Sequence, residues 1–171
     1  MKKLVILFPL FILSMPLSAA EYLGRSLYRH ALDQIVVGYK MGCLSRSPQT
    51  TADQIKEGWD CRKLNSEDNL APILRLEAEA DLKVNKLLAL NLIPLTSPLV
   101  LDNDEKIVGE NVLDRVIGSI EMVTQLECTQ DNKTDVAIGI TCPRPNTSPI
   151  HLNVLINTDQ GPRISKIEFV L

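Results

Sequence analysis

The chain has 171 residues, of which 45% are hydrophobic, 23% charged and only 4% aromatic, and its formal net charge is −3. Its 18 Lys and Arg are scattered among 21 Asp and Glu, which argues against nucleic acid and anionic membrane surfaces as partners, because both select clustered cations. A chain of this size can build one domain around a real core without a metal to hold it.

Met1 to Ala20 reads as a secretory signal peptide. Lys2 and Lys3 supply the positive start, Leu4 to Leu13 the apolar run, and Ser18-Ala19-Ala20 the small-residue exit before Glu21. The apolar run is too short for a spanning helix, which needs roughly 20 residues. The expected organisation is a signal peptide over 1–20 and a single exported α+β domain over 21–171, periplasmic or secreted. No integral membrane segment is expected after cleavage. The most apolar later stretch, Leu87 to Leu101, is interrupted by Asn91, Pro94 and Pro98.

Leu27, Tyr28, Ala31, Leu32, Ile35, Val36 and Tyr39 recur at helical spacing and predict a helix from about Tyr22 to Met41, with Gly42 as its stop. Thr51-Ala52-Asp53-Gln54 fits a capping box, and Ile55 and Trp59 then suggest a second, short helix. Between residues 73 and 92 two signals conflict. Leu74, Leu76, Ala78, Ala80, Leu82 and Val84 alternate with Arg75, Glu77, Glu79, Asp81 and Lys83, which is the period of a half-buried strand. The Leu, Glu, Ala and Lys composition, and Pro72 at a first turn, favour a helix. Composition tips the expectation toward helix, with strand as the open alternative.

Farther along, Leu99-Val100-Leu101 and Ile107-Val108 flank Asp102 to Glu105 in the manner of a hairpin. Ile120, Met122, Leu126 and Cys128 lead to Gln130–Lys133, after which Val136, Ile138, Ile140 and Cys142 alternate. Leu152, Val154 and Ile156, then Ile164, Ile167, Phe169 and Leu171, flank a turn at Thr158–Gly161. Three or four meandering antiparallel strands fit this pattern. No internal repeat is visible in the residues.

All four cysteines, Cys43, Cys61, Cys128 and Cys142, lie beyond the signal peptide, and an even number in an exported chain reads as disulfides. Local pairing predicts Cys43–Cys61 and Cys128–Cys142. The first would staple helix one to the second helix. The second is awkward in register: a symmetric turn centred on Asn132 sets Cys128 opposite Val136, so reaching Cys142 requires a bulge, a longer loop or a different strand. No Cys-x-x-Cys occurs and His30 and His151 lie far from zinc-ligand spacing, so neither metal nor cofactor is expected.

Helices first and a meander last predict an α+β domain, with N-terminal disulfide-stapled helices packed on a C-terminal antiparallel sheet. That element order is similar to the order in cystatin-like and nuclear-transport-factor-like domains. Chemistry is hard to place on it. Gly118-Ser119 lacks a nucleophile elbow and no phosphate loop occurs. His30 and His151 read as solvated residues, and Glu77 with Glu79, which would share a face on a strand, as a solvated pair. The chain is therefore expected not to be an enzyme. Pro143-Arg144-Pro145-Asn146, a stiff extended loop, is the candidate contact segment. Leu87 to Leu101 reads as a core layer, or else as a lipid-binding groove or partner surface. The function expected is a non-enzymatic exported binding or accessory protein with a protein partner, such as an envelope or secretion-system accessory or a toxin-immunity protein. The alternative is a carrier of a small apolar ligand, or a pocket enzyme of the same compartment.

Overall fold

The computed structural model describes residues 25–64, 71–84, 86–101 and 104–170. The signal-peptide expectation, over 1–20, lies outside them. Helix α1 spans Arg25–Gly38 and buries Ile35, with Tyr39 just past its end. It stops earlier than Met41. Lys40 takes a left-handed conformation (φ 52°) that turns the chain into strand β1, Met41–Ser45. Gly42 lies within that strand, beneath the side chain of Leu64, and is not the stop.

The second helix expected after Thr51 is absent. Strands β2 (Gln49–Thr50) and β3 (Gln54–Lys63) stand there instead. Part of the capping-box pattern does form: the Gln54 amide donates to Thr51 Oγ1 at 3.2 Å. The Thr51 amide also donates to the Gln54 carbonyl at 2.8 Å, so these bonds close a two-residue hairpin turn. A hydroxyl that can cap a helix can equally close a turn, and the spacing of Ile55, Trp59 and Cys61 toward the core decides for strand.

Residues 73–92 are likewise not helical. They form most of a hairpin of β4 (Leu74–Asp81) and β5 (Lys86–Pro94). Leu74, Leu76, Ala78 and Ala80 are all buried, with half-buried polar residues between them. A helix would have spread those leucines around its circumference, so burial of one sheet face outweighs intrinsic propensity. Asp81 Oδ1 accepts the amides of Lys83 (2.7 Å) and Val84 (3.2 Å), the Asx turn that breaks the run.

Leu99–Leu101 and Ile107–Val108 do not pair as the expected hairpin. Leu99, Leu101 and Ile107 are buried, and Val108 bridges to Pro162 and Ile164. Gly109, at φ 90°, where a side chain would be strained, then opens helix α2, Glu110–Thr124. Ile120 and Met122 therefore belong to this helix and not to a strand. Strands β6 (Thr129–Lys133), β7 (Ala137–Cys142), β8 (Ile150–Asn157) and β9 (Arg163–Val170) follow as an antiparallel meander; the last three fall where strands were expected, but β6 occupies Gln130–Lys133, the segment read as a turn.

All named strands join one antiparallel sheet, ordered β1-β3-β4-β5-β9-β8-β7-β6, with β2 beside β3. Setting aside the short β2, the order is helix and four strands, given twice. The two halves meet at β5 and β9, so the strand order is the same read from either edge toward that seam. The sequence shows no repeat beyond a shared Gly-x-x-Cys, at Gly58–Cys61 and Gly139–Cys142. The fold is thus α+β with two helices among the described residues, and α2 lies between two runs of strands instead of ahead of them. The helices-then-sheet order of cystatin-like and nuclear-transport-factor-like domains is not the order observed. The core fills the space between both helices and one face of the sheet, with Leu76, Val112, Val154 and Ile167 sealed within it.

Both expected disulfides are formed. Cys43 and Cys61 are direct partners across β1 and β3 with Cα atoms 4.1 Å apart, so the bridge staples two strands, not two helices. Cys128 lies just before β6, one register step beyond Thr129–Thr141, opposite Cys142 at 4.2 Å. The turn lies at Thr134–Ala137 and not at Asn132, which brings Cys128 to within one step of Cys142, and a bulge between Gln130 and Asn132 supplies that step. At Gly139 the backbone comes so close to the Asn132 side-chain oxygen that a Cβ would meet it at 2.6 Å.

Candidate functional site

Strand alternation puts apolar side chains under the helices and polar ones on the opposite face. Among the described residues no helix covers that second face. With strands about 4.8 Å apart, its eight-strand path is roughly 35 Å wide.

Fixed ionic groups cross it. Arg75 Nε donates to Asp60 Oδ1 at 2.7 Å, and Arg46 approaches the same carboxylate at 3.7 Å. Lys56 and Asn91 both donate to Glu79 Oε1, at 3.0 and 2.9 Å. Across the seam, Lys166 and Asn153 hold Glu168 at 2.8 and 3.0 Å. Two Lys–Glu–Asn triplets therefore flank the junction of the two halves. Toward the far edge, Thr141 donates to Asp131 at 2.5 Å and contacts His151 Nδ1 at 2.9 Å.

The electrostatics follow. The Arg75 hydrogen bond holds the Asp60 carboxyl below the ordinary range, against a smaller desolvation effect. Burial pushes Glu79 upward, but Lys56, Asn91 and the charge of Lys166 outweigh it and hold that carboxyl low. Lys166 and Asn153 do the same for Glu168. These groups stay ionised at neutral pH. They suit recognition by complementary charge better than proton transfer, which needs a group poised near the working pH.

Two cavities lie under the helices, at corresponding places in the two halves. One, of about 310 Å³, sits between α1 and the β1–β3 end and is lined by Arg29, Leu32, Arg46 and Trp59 among others. The other, of about 190 Å³, lies between α2 and the β6–β7 end, with Glu110, Asp114 and Lys133 at an isoleucine-rich wall. Burial, and then the charge of Glu110, raise the Asp114 carboxyl above its ordinary range. Both sit at or below the lower bound of small-molecule pockets, roughly 300 Å³.

The residues singled out from sequence are dispersed. Pro143, Arg144, Pro145 and Asn146 form the β7–β8 loop, where Arg144 Nε donates to the Ser148 carbonyl at 2.7 Å and Asn146 is left-handed. This loop is not bonded to the ionic groups of the sheet face. The four cysteines are structural, with Cys61 and Cys142 fully buried. Leu87, Leu90, Leu92, Leu99 and Leu101 pack into the core, so the segment weighed as a carrier groove is filled by its own side chains. His151 stands on the open face, and the side chain of His30 lies outside the described residues. The ionic triplets escaped the sequence reading. Glu77 and Glu79 on alternate positions were their one visible trace, legible only once the segment is known to be a strand.

Among the described residues no three His, Cys, Asp or Glu side chains are placed to hold a metal ion, and no helix is long and apolar enough to cross a membrane. Comparison with known proteins finds no matching family model, no matching curated protein and no matching solved structure.

Proposed function

We propose that this chain is an exported, non-enzymatic binding module that acts through protein–protein contact, as an envelope or secretion-system accessory or a toxin-immunity protein would. The observation that carries the reading is the open sheet face, whose ionic side chains are already held by neighbours. Side chains ordered before docking lose less freedom on binding. Strands of about eight residues over a width of roughly 35 Å provide on the order of 800 Å², the share one partner contributes to a standard interface. The two disulfides fit an oxidising compartment, in keeping with the signal-peptide pattern at Met1–Ala20.

Photo-crosslinkers placed at positions 79, 153 and 168, with position 122 on the exposed side of α2 as control, test this in the native envelope or medium. One protein captured from the three sheet positions and not from 122 is the expected result. Equal capture from the helix, or none from the sheet, overturns the open face as the docking surface. N-terminal sequencing of the exported form should begin at Glu21.

A further inference from the structure

Strands β5 and β9 pair over Ala89–Asn91 and Lys166–Glu168, and toward Pro94 the ladder on β9 passes to Val108, which bridges to Arg163. The Val108 amide donates to the Pro162 carbonyl at 3.0 Å, and its carbonyl accepts the Ile164 amide at 2.8 Å. Where the seam changes partner there is a third cavity, of about 110 Å³. Pro94, Leu99 and Val108 give it an apolar wall, and Lys106, Gln160 and Arg163 a polar one.

That polar wall is basic. No carboxylate lines the cavity, whereas each of the two larger cavities mixes both signs of charge. Among the described residues neither Lys106 nor Arg163 is ion-paired. The Arg163 Nε is sealed from solvent and has no hydrogen-bond partner, an unmet donor on a charged group. Of the acids on the same segments, Glu105 accepts Tyr39 and the Asn111 amide, and Asp104 and Asp159 are exposed. Gln160 adds a third donor: its Oε1 accepts the Ser97 hydroxyl at 2.8 Å, which leaves its NH2 group to donate. Ile164 is buried under the helices, so Arg163, its neighbour on β9 and the register partner of Asn157, belongs to the open-face side.

We propose that this cavity is the seat of one carboxylate, carried on a short apolar stem by the protein partner that docks on the open face. The inference rests on the open-face reading and adds a chemical requirement to it. At about 110 Å³ the space is well under the roughly 300 Å³ of a small-molecule pocket, so it takes a single group. The Arg163 fork matches the two oxygens of a carboxylate, and the Lys106 ammonium adds a point charge. The apolar wall receives a methylene. An Asp or Glu side chain brings both parts, while a free phosphate brings the charge alone.

The test titrates the full disulfide-bonded chain with propionate, with its neutral isostere propionamide and with inorganic phosphate. Binding is followed by the NMR signals of the Arg163 Nε–H and, in Arg163 variants, of the Gly161 amide. Propionate should shift them saturably and bind about ten-fold more tightly than either of the other two. Arg163→Met and Lys106→Met should each weaken propionate binding about ten-fold, and Arg163→Lys, which keeps the charge without the fork, should weaken it less. Both Met variants should also reduce capture of the partner at positions 79, 153 and 168 about ten-fold, with the fold verified by unchanged amide exchange in β5 and β9. No saturable shift with propionate, equal or tighter binding of propionamide or phosphate, or capture unchanged in both Met variants overturns the proposal and leaves the open-face reading standing. A propionate site with no capture by the wild-type chain overturns the open-face reading, and with it the partner named here.

Discussion

Tyr39, at the end of the first helix, donates its phenolic hydrogen bond to Glu105 Oε1, on the segment leading into the second helix. The same oxygen accepts the Asn111 amide at 3.1 Å, in the first turn of α2. Because Gly109 at the N-cap has no side chain, Glu105 caps the helix from a distance and links it to the other half of the chain.

Removing that carboxylate should therefore cost more than an ordinary surface change. Glu105→Ala leaves Tyr39 and the Asn111 amide without their acceptor, and denaturant unfolding should show a loss of about 1–3 kcal/mol. Burial, with Glu105 adding to it, holds the Tyr39 hydroxyl far above its ordinary pKa of 10.0. The unfolded chain then loses this proton first as pH rises, so the contribution of Tyr39 is intact below about pH 10 and declines above it. Tyr39→Phe should flatten that alkaline decline.

The two disulfides clamp the outermost strands of the sheet, β1 through Cys43–Cys61 and β6 through Cys128–Cys142. Edges open most readily, since they have a neighbour on one side only. Reduction should speed amide exchange in β1 and β6 before β5 and β9 respond. Replacing Cys43 and Cys61 together with Ser should cost about 2–5 kcal/mol. Peptide mapping without reduction should link only Cys43 to Cys61 and Cys128 to Cys142.

Asp60, Glu79 and Glu168 are all held below their ordinary pKa, Asp60 and Glu79 by groups on neighbouring strands and Glu168 by Lys166 of its own strand and Asn153 of the next. Groups depressed in the folded state add stability at neutral pH, and that contribution is lost as pH falls below about 4. The unfolding midpoint should drop over this acid range. The double variant Glu79→Gln, Glu168→Gln should be less stable at pH 7 and show a shallower acid decline.

Asp114 has the opposite sign. Its carboxyl is raised by burial and by Glu110, so ionisation opposes folding at neutral pH. Asp114→Asn should stabilise the protein at pH 7, by a few tenths of a kcal/mol given the solvent screening of an exposed residue. At pH 3, where the wild-type group is protonated, the gain should vanish.

How much of this was legible in advance differs from element to element. The first helix, the last three strands and both disulfide pairings were open to local reading, because periodicity and short cysteine separation act within a few residues; polar Thr129–Lys133 gave no such period and read as a turn. The α2 helix left a trace in Val112, Leu113, Val116 and Ile120, which are buried at helical spacing, but the apolar residues after it drew the pattern toward strand. At Thr51–Gln54 the same hydroxyl–amide bond serves a helix cap or a turn, so no local argument could separate them.

Neighbours along the chain were enough to set the period of the first helix and of the last three strands, and the pairing of the cysteines. Tertiary structure decided the rest. Leu74 to Ala80 became a strand because one sheet face had a core to bury against, and that core is supplied in part by Val112 and Val154. The seam that joins the halves pairs Leu90 with Ile167 and Asn91 with Lys166, residues far apart in the chain whose identities name no partner. The ionic groups form within each half, and the seam adds the charge of Lys166 to the field at Glu79. Pairing across such a distance is selected by the summed burial of both halves, a property that no single segment carries.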